Sequence, residues 1–135
     1  MRTIKFRGYS KDFTENEWFF GNLIDKGNGS FQILEKNPKI WDLSYDGITV
    51  IPESIGQFTE FHDKNGKEIY EGEILYNNDR KEHCIVKYSK EKAMFIVKYL
   101  ESKDEFPLWV SISNLYYSVG NTYENPELLE KKFAN

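Results

Sequence analysis

A chain of 135 residues with 39% hydrophobic side chains is long enough for one compact domain, or two small lobes sharing a core. Its 18 Lys and Arg against 22 Asp and Glu leave a formal charge of −4, which disfavours indiscriminate binding to nucleic acid or to an anionic membrane. Cys84 stands alone and excludes an intramolecular disulfide, no apolar run approaches the roughly 18 residues of a spanning helix, and the polar start Met1-Arg2-Thr3 is unlike a signal segment. The expectation is a soluble, cytoplasmic protein. Ten Phe, nine Tyr and three Trp against two Met predict an aromatic core in β structure, where flat rings pack across neighbouring strands.

In chain order, Thr3 to Tyr9 alternates, with Ile4 and Phe6 on one face and Lys5 and Arg7 on the other, as a half-buried strand requires. Asp12 to Asn16 is turn-like, and Trp18-Phe19-Phe20 begins a second strand that runs past Gly21 to Ile24. Gly27-Asn28-Gly29 predicts a hairpin onto Ser30 to Leu34, a better reading of Asn28-Gly29-Ser30 than a glycosylation site. Pro38 blocks regular pairing, and Ile40-Trp41-Asp42-Leu43 fits a short strand or one helical turn. Asp46-Gly47 signals a turn before the β-branched strand Ile48 to Ile51, which stops at Pro52. Pro52 to Gly56 is the candidate boundary between lobes.

Gln57 to Tyr76 is the densest stretch. Phe58, Thr59 and Phe61 read as a strand, and Asn65-Gly66 tolerates the positive φ of a hairpin turn. On the return limb Tyr70, Ile74 and Tyr76 form the apolar face, Ile69, Glu71 and Glu73 the other, and Gly72 marks a bend. Strands follow at His83 to Tyr88 and Ala93 to Leu100, the latter apolar on both faces, then at Phe106 to Val110 and Ile112 to Val119. Short strands at this spacing predict a strongly bent sheet or small barrel. Asn125 as N-cap, Pro126 in the first turn and Lys131 and Lys132 at the other end predict a short C-terminal helix with Leu128, Leu129 and Phe133 on one face.

No catalytic set emerges. His62, His83 and Cys84 lack the paired spacings of a closed zinc site. Asp63-Lys64-Asn65-Gly66 opens like a calcium loop, but Ile74 stands where a bidentate carboxylate is needed and the flanks are strands. Glu68, Glu71 and Glu73, with Asp63 and His62, could supply an acid and a base, yet solvated strand charge or a protein-interaction face is the stronger reading. Adjacent positions on a strand send His83 and Cys84 to opposite faces, so Cys84 is expected to be a buried core thiol. Neither cofactor nor metal is expected. A basic cluster, Arg80, Lys81, Lys87, Lys90, Lys92 and Lys98 among Tyr88 and Tyr99, leaves nucleic acid as the alternative partner, with Lys81, Lys87, Lys90 and Lys92 as its contacts. Asp79, Glu82 and Glu91 dilute that charge.

Three segments together resemble the YopX family, small proteins carried by bacteriophages and prophages. They are Ile4-Lys5-Phe6-Arg7; Gly56-Gln57-Phe58-Thr59 with Asp63-Lys64-Asn65-Gly66-Lys67-Glu68-Ile69-Tyr70-Glu71-Gly72-Glu73-Ile74; and Val119-Gly120-Asn121-Thr122-Tyr123-Glu124-Asn125-Pro126-Glu127-Leu128-Leu129. Tyr9-Ser10 stands where members often carry an aromatic-acidic pair, and Glu73 where Asp is usual. The resemblance implies a mainly β protein, with an N-terminal lobe and a C-terminal small barrel of the Src-homology-three type; with the residue reading above, the expected division is a β-rich (α+β) lobe over residues 1–55, the barrel over 56–120 and a helical tail over 121–135. The resemblance also implies self-association, and it brings no catalytic residues. The expectation is therefore a non-enzymatic phage accessory protein in a bacterial host, acting on a host or phage protein or on copies of itself.

Overall fold

The computed structural model describes residues 1–11, 17–35 and 47–131 and divides into two compact units, Met1–Phe58 and Thr59–Asn135. In the first unit β1 (Phe6–Ser10), β2 (Glu17–Asp25), β3 (Phe31–Leu34), β4 (Ile48–Val50) and the start of β5 (Gly56–His62) form an antiparallel sheet in the order β4-β3-β2-β1-β5. The hairpin expected at Gly27-Asn28-Gly29 joins β2 to β3. Asp25 Oδ1 accepts the Gly27 N–H at 2.8 Å and Asn28 Oδ1 that of Ser30 at 3.1 Å, so short polar side chains satisfy the turn's backbone. β2 continues past Gly21 because that residue has no Cβ: one added there would stand 2.2 Å from the Leu34 carbonyl oxygen. Phe19, Ile33, Ile48 and Val50 are the buried core of this unit, with Phe6, Leu23, Phe31 and Ile55 against it.

Three expectations for this unit change. β1 begins at Phe6 rather than Thr3, leaving Ile4 exposed. Arg7, assigned to the solvent face, is buried, its guanidinium 4.5 Å from the centre of the Trp18 ring; the flat, weakly hydrated cation is held by the aromatic face. Among the described residues the unit contains strands and a 3-10 turn, Pro52–Ser54, and no α-helix. That turn is tied down: Ser54 Oγ accepts the Tyr9 N–H at 2.8 Å and donates to the Ile51 carbonyl at 2.6 Å. The turn expected at Asp12 to Asn16 and the features at Pro38, Ile40 to Leu43 and Asp46 lie outside the described residues.

In the second unit β6 (Glu68–Tyr70) follows β5, and β7 (Glu73–Asn77), β8 (Glu82–Ser89), β9 (Met94–Tyr99), β10 (Glu105–Pro107) and β11 (Tyr117–Asn121) form a five-stranded antiparallel sheet. Its order is β10-β9-β8-β7-β11, with α1 (Val110–Leu115) between β10 and β11 and α2 (Glu127–Lys131) last. The core is Ile69, Leu75, Cys84, Val86, Val97, Leu108 and Tyr116, flanked by Phe61, Phe95, Tyr99 and Ile112. β9 has neighbours on both edges, as its two apolar faces predict.

The closed barrel is corrected. Among the described residues the sheet is open, β10 and β11 being edges that do not pair with each other. The segment expected to supply strands there, Val110 to Leu115, is helical instead. Leu108, Ile112 and Tyr116 recur every fourth residue and all pack on the core, a helical period that outweighs the alternation around Ser111 and Ser113. Ser113 Oγ donates to the Val110 carbonyl at 2.8 Å and the Tyr116 N–H reaches the Ile112 carbonyl at 2.9 Å, closing the turn.

The C-terminal helix forms, but Asn125 does not serve it as a side-chain cap. Its Oδ1 accepts the Asn121 N–H at 3.1 Å, while Asn121 Oδ1 accepts the N–H groups of Tyr123 and Glu124 at 3.0 and 2.8 Å. The Asn121 and Asn125 side chains thus build the turn that carries α2. Leu129 lines a shallow groove together with Ile85 and Leu100, and the expected contribution of Phe133 lies outside the described residues.

Candidate functional site

The dense stretch from Gln57 to Tyr76 proves to be a clasp. Asp63, only 6% exposed, accepts the N–H groups of Asn65 and Lys67 on Oδ1 at 2.9 and 3.0 Å and that of Ser118 on Oδ2 at 2.9 Å. One carboxylate thereby closes its own turn and pins β11 to it. The Lys64 N–H adds a bond to the Tyr116 carbonyl at 3.0 Å. An oxygen cluster that opens like a calcium loop is here consumed by backbone donors.

Gly72, at φ 90°, separates β6 from β7, a conformation that side chains other than glycine's strongly resist. Tyr70 and Ile74 enter the core as expected, but Ile69 and Glu73 on the opposite face of the return limb do not reach solvent. Ile69 and Tyr70 are both buried, and Glu73, expected on the solvent face, is 1% exposed and accepts the Ser118 hydroxyl at 2.6 Å. Glu68 is half-buried and accepts the Tyr70 hydroxyl at 2.9 Å, and Glu71 is half-buried. Glu68, Glu71 and Glu73 therefore do not make one open acidic face.

Cys84 is buried in the core, and burial, with Glu82 and Glu101 adding to it, pushes its thiol up to about 12. A thiol held protonated there is no nucleophile. Its neighbour His83 packs against Tyr76 at 4.4 Å between ring centres and sits 3.3 Å from a Glu101 carboxylate oxygen.

Open chemistry lies elsewhere in the second unit. A groove of about 480 Å³ runs between the β9–β10 turn, β10 and the start of α1, walled by Tyr99, Phe106 and Trp109 with Glu82 and Asp104 beside them. Phe106 and Trp109 are 50% and 59% exposed, and Val110 and Leu115 on α1 are exposed as well. The physical origin is simple: of the run Phe106 to Val110 only Leu108 reaches the core, since a three-residue strand followed by a short helix cannot turn every large side chain inward. Tyr99 and Phe106 meet edge to face at 5.7 Å.

At one side of the groove Tyr116, buried, places its hydroxyl 2.6 Å from Glu82 Oε1 and 3.2 Å from the Tyr99 hydroxyl. A phenol has one proton, and the short contact to a carboxylate takes it, so Tyr99 donates to Tyr116. Burial raises both phenols above their usual range, and donation to Glu82 adds to the shift at Tyr116. Both stay protonated at neutral pH. Among the described residues Glu82 Oε2 and the Asp104 carboxylate take no hydrogen bond, and Arg80, at the rim, comes no closer than 4.0 Å to Glu82. Such a groove offers aromatic faces and unspent acceptors, suited to binding a flat, donor-rich group.

The basic residues singled out in the sequence are spread. Lys81 precedes β8 and Lys90 and Lys92 follow it, so they stand at opposite ends of an eight-residue strand about 25 Å long. Lys87 instead gathers with Lys98 and Lys103 around a shallow groove of about 180 Å³ floored by Ile85, Leu100 and Leu129. Sequence reasoning missed Glu82, Tyr99, Asp104, Phe106 and Trp109 as a site. The available signal was an excess of large apolar residues around Pro107 with too short a segment to bury them.

No helix among the described residues is long and apolar enough to cross a membrane. A family model described as YopX protein matches residues 5–130, nearly the whole chain. No curated protein matches it.

Proposed function

The chain belongs to the YopX family, and from that premise we propose that it is a non-enzymatic accessory protein of a bacteriophage or prophage, working in the cytoplasm of the bacterial host by binding another protein. The observation that carries the reading is the exposure of the aromatic residues Phe106 and Trp109 around a groove with unspent polar groups. Exposed aromatic anchors beside a concavity are the usual centre of a protein–protein interface. Trp109→Ala weakens capture of the partner by tenfold or more while the protein stays folded; a complex indifferent to that change would sink the reading.

Self-association belongs to the same proposal. Light scattering after size exclusion tests it, a mass of 16.0 kDa counting against it and a multiple supporting it. The open sheet is, in this proposal, an unclosed relative of the Src-homology-three barrel: its first and fifth strands, β7 and β11, pair, and a helical turn precedes the fifth.

A second reading, nucleic-acid binding, is favoured by one observation, the gathering of Lys87, Lys98 and Lys103. It requires affinity that falls steeply with salt. Flat fluorescence anisotropy with single- and double-stranded oligonucleotides at low salt would exclude it.

A further inference from the structure

We infer that the groove beside α1 receives the guanidinium of an arginine side chain presented by the partner protein, an inference that rests on the protein-binding reading above. The charges select a cation. Glu82 and Asp104 both face the groove with oxygen atoms that take no hydrogen bond among the described residues, against the single Arg80, whose side chain is 73% exposed and 4.0 Å from Glu82. A phosphate or an acidic peptide would meet two carboxylates against one cation, Arg80, which itself lies 4.0 Å from Glu82.

The walls select arginine among cations. A guanidinium is planar, stacks on aromatic faces and projects donors in its plane, so it can lie against Trp109 or Phe106 while bonding Glu82 Oε2 or Asp104. The ammonium of lysine is compact and strongly hydrated and makes poorer use of two flat walls. Glu82 is also fixed in advance. Its Oε1 is held by the buried Tyr116 hydroxyl at 2.6 Å, so one oxygen orients the group and leaves the other for a ligand.

The test uses the full chain, isotope-labelled, titrated with end-blocked Gly-Arg-Gly, Gly-Lys-Gly and Gly-citrulline-Gly peptides while the Trp109 indole N–H resonance is followed. The arginine peptide should shift that resonance saturably. Citrulline, isosteric but neutral, should bind roughly tenfold more weakly, as the loss of a charge-assisted pair requires. Asp104→Asn, at an exposed position, should weaken the arginine peptide by a similar factor, and Glu82→Gln supplies a second, independent check. A Trp109 resonance that does not move, that moves equally with citrulline, or that moves only with an oligonucleotide overturns the inference. A natural complex lost on Trp109→Ala but untouched by Asp104→Asn and by arginine-peptide competition leaves the docking surface standing and removes the arginine. A complex insensitive to Trp109→Ala removes both.

Discussion

Around Ser118 the carboxylates of Asp63 and Glu73, 6% and 1% exposed, are spent on the protein's own backbone and hydroxyl groups. In the groove, Glu82 and Asp104 keep oxygen atoms without such bonds among the described residues, beside the exposed rings of Phe106 and Trp109. Both regions are acidic, aromatic and part of the same unit. The difference is in where the acceptors are satisfied, and it separates a structural clasp from a binding surface more sharply than the density of charge in the sequence does. A buried carboxylate that accepts several N–H groups stabilises the fold, because removing it takes the partner from all of them at once. A partly exposed one with a free oxygen contributes little to folding and remains available to a ligand.

The largest effect that would break this contrast is at Asp63. Asp63→Ala strands the N–H groups of Asn65, Lys67 and Ser118 and should cost about 3–4 kcal/mol, read as a lower urea midpoint at unchanged m-value. Asp63→Asn should recover part of that loss, since an amide oxygen still accepts. Ser118→Ala follows at about 2 kcal/mol, because it takes a 2.6 Å donor from the buried Glu73 while sparing the Ser118 N–H bond to Asp63. If both variants unfolded at the wild-type midpoint, the clasp would not be holding β11.

The clasp was legible in part. Asn65-Gly66 announced the hairpin, and Gly72 announced a bend. What alternation could not reveal is that both faces of this limb are covered, so that Ile69 is buried as well as Tyr70, and Glu73 as well as Ile74. The groove was not legible for a related reason. Leu108, Ile112 and Tyr116 carry a helical period, but Trp109, Val110 and Leu115 break it with apolar residues that a strand pattern absorbs more easily. Their exposure depends on the length of α1, a quantity fixed by the Ser113 and Tyr116 bonds rather than by composition. The lysine cluster misled differently: proximity along the chain placed Lys81 with Lys90, whereas β8 sets them at its two ends.

Alkaline pH sharpens the comparison from the core side. Cys84, raised from 9.0 to about 12 by burial first and by Glu82 and Glu101 next, stabilises the fold as a neutral thiol. Its contribution is complete below pH 9 and is lost as pH climbs toward 12, at a rate on the order of 1 kcal/mol per pH unit. The same burial should leave the thiol unmodified by iodoacetamide at pH 8 until denaturant unfolds the second unit. Ready alkylation of the native protein would show Cys84 to be accessible and the core around it looser than its packing indicates.

The smallest expected change is the most discriminating, because the contrast requires it to be small. Trp109 is 59% exposed and the Asp104 carboxylate takes no hydrogen bond among the described residues, so Trp109→Ala and Asp104→Asn remove groups that the fold does not use. Each should leave the urea midpoint within the equivalent of about 0.5 kcal/mol of wild type, as surface substitutions away from packed or bonded features do. Asp104→Asn also removes one unit from a net charge of −4, which reduces self-repulsion and makes any small shift a stabilising one. A loss of 2 kcal/mol or more at either position would mean that the groove's side chains are structural after all, like Asp63, and that its carboxylates are spent on folding rather than kept for a partner.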